Sequence, residues 1–242
     1  MATSLHRFRD ELFSHLPFSV FSTVGGIVLV AILTFLAAPY YNEHAHDETP
    51  AADAALAEGE HAHGPGLAGA YMDLFHVFHP SHMLFSAIAT TAMFWKYERR
   101  FLKACVVGFL GAIGICGVSD ILMPYVSGLL LGAHMEMHIC VLQHPQLVLP
   151  FTVVGILVGF LAADHIVRAT FFSHGAHVLV SSMASLLYLV SFGLKDWVHQ
   201  AGWVFIFVVL AVMIPCCVSD IVFPLLAVTR DGEPVPRPHH HD

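Results

Sequence analysis

Six stretches of about twenty or more mostly apolar residues set the plan of this chain: 17–38, 71–95, 101–131, 146–167, 169–194 and 203–228. A bilayer core ~30 Å thick takes ~20 helical residues, so each stretch is long enough to cross. None alternates as a barrel strand would, and an all-α integral membrane protein is expected. The 101–131 stretch is too long for one straight span, which predicts a turn or re-entrant stretch near Gly128 and Gly132. Pro80, Pro124, Pro150, Pro215 and Pro224 mark places where helices start, kink or break.

Polar residues gather between these stretches. The expected organisation is an N-terminus (1–16), a three-helix unit (17–131) holding an outer loop rich in His and acidic residues (40–70), and an outer linker (132–146). A second three-helix unit (147–228) and a His-containing tail (229–242) follow. Arg7 and Arg9 ahead of the first apolar run resemble a secretory signal, but the run exceeds the ~7–15 residues of a signal core and is kept as a span.

The two units repeat each other. His79-Pro-Ser-His82 and the eight residues after it align without a gap on His174-Gly-Ala-His177 and its followers. Cys116-Gly-Val-Ser-Asp120-Ile-Leu-Met-Pro124 aligns on Cys216-Cys-Val-Ser-Asp220-Ile-Val-Phe-Pro224, and Pro17-Phe-Ser-Val is echoed by Pro150-Phe-Thr-Val. A duplicated unit with an odd number of spans must insert in opposite orientations, so the expected fold is six transmembrane helices as two inverted-topology three-helix repeats.

Composition and charge agree. Hydrophobic residues make up 57%, charged residues 12%, and mean hydropathy is +0.71, outside the range of soluble domains. With both termini cytoplasmic, Arg7, Arg9, Lys96, Arg99, Arg100, Lys103, Arg168, Arg230 and Arg237 fall inside and only Lys195 outside. That bias fits the positive-inside rule and an inner or plasma membrane, with a bacterial one expected. The net charge of -8 argues against nucleic acid as a partner. The partners expected are a metal ion and the lipid bilayer, with a homo-oligomer left open. Cys105, Cys116, Cys216 and Cys217 fall in spans and read as small packing residues; Cys140 alone lies outside, so no disulfide framework is expected.

The repeated residues carry the chemistry. His-x-x-His on a helix puts two rings on one face, and imidazole and carboxylate ligate divalent transition metals. An ionised Asp inside a span costs ~2.5–3.5 kcal/mol on insertion scales and needs a partner; the spans offer no Arg or Lys. The candidate metal ligands are therefore His79, His82, Asp120, His174, His177 and Asp220. They form either one His/His/Asp cluster near each face or one binuclear site at the midplane. Ser119 and Ser219 are candidate ligands or orienting groups.

Further candidates are Asp73 and His76 ahead of the first pair, His134, His138 and His144 in the linker, and Asp164 with His165 at the end of the fourth stretch. His44, His46, His61 and His63 in the outer loop would raise the local ion concentration. Nucleotide-binding motifs and a nucleophile elbow are absent.

The function expected is a secondary transporter or permease for a divalent transition metal, with Zn, Fe, Mn, Co and Ni all admissible. The alternatives are a membrane metalloenzyme, as a di-iron oxidase or zinc hydrolase, and a membrane haem protein. The duplication favours transport, since an enzyme has no need of equivalent ligands at opposite depths.

Overall fold

The computed structural model describes residues 16–36, 67–163 and 166–228; the side chains of 67–68, 166–174, 217 and 221 lie outside that description. The outer loop, both tails, Asp164 and His165 are therefore outside the described residues. Every regular element among the described residues is a helix.

Helix α1 spans Leu16–Leu36, α2 Leu67–Tyr97 and α3 Phe101–Leu130. After a short α4, Cys140–Gln143, come α5, Pro145–Ala162, α6, Ile166–Ser191, and α7, Ala201–Ala227. Four of them, α1, α3, α5 and α7, are long and apolar enough to cross a membrane. Phe21, Leu102, Leu161 and Leu226 on these four are more than three-quarters exposed, a surface that fits lipid and not water.

The other two long helices are less apolar because they carry the polar interior. On α2, His79, His82, Ser86, Thr90 and Thr91 are buried; on α6, His177, Ser181, Ser182 and Ser185 are. Residues 181–190 of α6 are buried without a break, as only a helix surrounded by others can be. Polar groups so placed need partners within the bundle, and α2 and α6 meet to provide them.

Small residues bring these helices close. Gly155 and Gly159 of α5 lie against α2, where a Cβ would come 2.6 Å from the Leu84 carbonyl oxygen and 2.9 Å from that of Ile88. On α1, a Cβ at Gly26 would come 3.2 Å from Met183 Sδ of α6. Gly26 and Gly159 correspond in the repeat, as do Met183 and Ile88. The first helix of each unit thus packs on the middle helix of the other.

Of the two glycines near which a turn is expected, Gly128 lies within helix α3 and Gly132 makes the turn. The helix runs on to Leu130, and the φ of 81° at Gly132 suits glycine. The length is taken up by two π-helical stretches, Leu110–Cys116 and Val118–Leu122. The repeated motif in α7 is π-helical too, at Val218–Val222.

Proline accounts for the shared distortion. Pro124 and Pro224 have no N–H to donate to the carbonyls four or five residues back, which frees the carbonyls of Ser119 and Ser219 from their i→i+5 partners. Each accepts a hydroxyl from the opposite unit: Ser185 donates to Ser119 O at 3.1 Å, and Thr90 to Ser219 O at 3.2 Å. Thr90 and Ser185 are themselves repeat equivalents. Such π-turns recur at functional sites.

One end of the bundle is basic. Glu98 pairs with Lys103 at 3.0 Å and Arg100 at 3.3 Å, Arg99 lies over Trp95, and Phe160 of α5 and Phe223 of α7 pack nearby. The linker 132–144 and the end of α6 form the other end.

Candidate metal centre

The repeated motifs converge on one place. His82 of α2 and His177 of α6 face each other with their Nε2 atoms 2.8 Å apart. His82 Nδ1 lies 2.8 and 2.9 Å from the two Asp120 oxygens. His79 Nδ1 lies 2.9 Å from Asp120, and His177 Nδ1 lies 3.1 Å from Asp220. Of the two layouts the sequence allowed, the described side chains adopt a single interior cluster, with no separate cluster at each face. His174 sits in α6, its side chain outside the description.

Where Asp120 and Asp220 are ionised they accept from Nδ1–H, and neutral His82 and His177 then turn an Nε2 lone pair inward. Two lone pairs at 2.8 Å repel unless a cation or a shared proton lies between them. Asp–His pairs of this kind orient imidazoles for metal ligation. In this geometry the carboxylates lie behind the rings and the Nε2 atoms face the centre.

Cysteine completes the donor set. His82, Cys116 and His177 place their ligand atoms within 4.8 Å of one another, all buried. Cys216 Sγ is 3.7 Å from His82 Nε2. Read from the sequence, these thiols are small packing residues. The signal was available, since Cys opens both copies of the duplicated motif, but small buried cysteines are common and the register alone did not set them apart.

Serines frame the cluster in matched pairs. Ser86 meets Ser219 at 3.1 Å and Ser181 meets Ser119 at 3.1 Å. Cys116 donates to Ser86 at 2.9 Å and Cys216 to Ser181 at 3.5 Å. Each contact has its counterpart in the other unit.

The pairing is not perfect. Asp120 is fully buried, and Ser181 also donates to it at 3.4 Å. The Asp220 side chain is 12% exposed, and its Oδ1, though itself buried, has no hydrogen-bond partner among the described residues. A buried carboxylate beside imidazole and thiol donors suits a cation.

The remaining candidates divide. His76, His138 and His144 come together as a second group, with ligand atoms within 4.8 Å of one another. Asp73 is exposed one turn before His76. His134 is exposed and lines a cleft of ≈ 560 Å³ with Glu136, Phe192, Lys195 and Asp196.

No protein family, curated protein or solved structure matches the chain.

Proposed function

We propose that this protein is a secondary transporter or permease for a divalent transition metal, built as six membrane-spanning helices in two inverted three-helix repeats. The observation that carries the proposal is the meeting of His82 and His177, equivalent residues of the two units, beside Cys116 in the interior. A site to which two oppositely oriented halves both contribute is what alternating access requires, because each half can open it to one side. The matched serine, cysteine and glycine contacts support the repeat. The gathering of Lys96, Arg99, Arg100 and Lys103 at one end supports cytoplasmic termini in a plasma membrane.

Imidazole and thiol together favour Zn²⁺ among the divalent ions over the harder Mn²⁺. Tetrahedral Zn–N bonds of ~2.0–2.1 Å place two ligand nitrogens ~3.3 Å apart, so the two rings need part by only about half an ångström. His82, His177 and Cys116 would hold the ion as substrate, and Asp120 and Asp220 would orient the rings and offset its charge. The same spacing argues against haem, because Nε2 atoms 2.8 Å apart leave no room for a macrocycle between them.

The test is Zn²⁺ flux into vesicles reconstituted with purified protein and an entrapped indicator. Flux above empty vesicles, lost in His82→Ala and in His177→Ala, is expected. Equal flux in wild type and both variants would remove the basis of the proposal.

A further inference from the structure

The second histidine group is built from α2 and from two places in the linker ahead of α5. His76 comes from α2, His138 from the 132–139 linker, and His144 from the residue just before α5. His76 Nε2 and His138 Nε2 are 3.2 Å apart. The ring centroids lie 5.2 Å apart for His76–His138, 4.9 Å for His76–His144 and 5.5 Å for His138–His144.

The linker that carries His138 is held in place. Its backbone N–H donates to the Tyr188 hydroxyl at 3.0 Å, and that hydroxyl donates to the Glu136 carbonyl at 3.2 Å. Glu136 N–H donates to Phe192 O at 2.8 Å. The Phe192 ring stacks on the His138 imidazole, with centroids 4.6 Å apart and planes at 13°. Three imidazoles are thus brought together by contacts that do not themselves involve a metal.

The group is distinct from the interior cluster. Phe75 lies between them, stacked on His79 at 5.1 Å and edge-on to His138 at 6.1 Å. The donors differ as well, being three imidazoles with no thiol among them.

We propose that His76, His138 and His144 form a second, nitrogen-only site for a borderline divalent ion such as Zn²⁺ or Co²⁺. Three neutral imidazoles with a fourth position open is an established zinc arrangement. The three imidazoles carry no charge to offset that of the ion, whereas the interior cluster offers thiol and carboxylate. The second site therefore binds more weakly and exchanges faster. This site stands whether or not the interior cluster transports.

The test is Co²⁺ titration of metal-stripped, detergent-purified full-length protein, followed by absorption and by metal analysis. Wild type is expected to take up about two equivalents, the tighter one bringing a thiolate-to-metal charge-transfer band and the weaker one adding ligand-field bands alone. His138→Asn with His144→Asn should remove the weaker equivalent and leave the charge-transfer band, which also reports that the protein has folded. His82→Asn with Cys116→Ser should remove the band and leave the weaker equivalent. Unchanged stoichiometry in the His138/His144 variant overturns this proposal. Unchanged stoichiometry and band in the His82/Cys116 variant counts instead against the interior site.

Discussion

His82 and His177 stand ninety-five positions apart in sequence, yet their Nε2 atoms lie 2.8 Å from each other. Each leans on the aspartate of its own unit. The contact therefore joins the two halves of the chain at the residues most suited to hold an ion.

Asp120 should act through the rings it orients. Asp120→Asn keeps the shape and loses the charge, and outer-sphere partners of this kind are worth ~10–100-fold in metal affinity. We expect a drop of that size in Co²⁺ or Zn²⁺ affinity with little change in thermal stability. An affinity equal to wild type would count against the orienting role.

The proline-freed carbonyls give a stability prediction. Ser185→Ala should strand the buried Ser119 carbonyl, and Thr90→Val the Ser219 carbonyl, each at ~1–3 kcal/mol. Thr90→Ser should recover most of the loss. Thermal unfolding in detergent, read by intrinsic fluorescence, distinguishes these outcomes.

Close packing of α5 on α2 makes Gly155 and Gly159 sensitive to size. Gly159→Leu should cost at least ~1–3 kcal/mol through overpacking and broaden the elution profile of the purified protein. Gly25, with nothing within 4 Å of an added Cβ, should tolerate Ala and serves as the control.

Cys140, in the short helix α4 outside the spans, is fully buried, and burial pushes its thiol up to about 12. Only the thiolate is an effective nucleophile, so Cys140 should resist alkylation at neutral pH in the folded protein and react after denaturation. Mass spectrometry of a variant retaining Cys140 as its sole cysteine reads this directly. Rapid labelling under native conditions would contradict it.

Orientation is testable in intact cells. Cysteine introduced at Met137 should label from outside, and at Glu98 only after permeabilisation. Labelling of both from the same side would refute the inverted arrangement.

Much of this architecture was legible because membrane insertion leaves long, uniform signatures. The apolar runs at 17–38, 101–131, 146–167 and 203–228 correspond to α1, α3, α5 and α7 within a few residues. Of the duplicated His-x-x-His and Val-Ser-Asp-Ile motifs, His79, His82, Asp120, His177 and Asp220 come together. What could not be read was depth. Sequence places His79 and Asp120 along their helices but not the π-turns that rotate Asp120 beneath the imidazoles, since those depend on Pro124 acting together with a hydroxyl from α6. Nor could periodicity separate Cys116 from Cys105, because both sit on apolar helices and differ only in what the neighbouring helix presents.

The unequal treatment of the two aspartates has a further meaning under the transport reading. Asp120 is fully buried, while the Asp220 side chain is 12% exposed. The units are near-copies in their motifs, so each can in principle adopt the posture the other now holds. Exchange of those postures would enclose Asp220 and uncover Asp120. If the two halves exchange in transport, this centre is one of two related conformers, and the other is already written in the opposite half of the same chain.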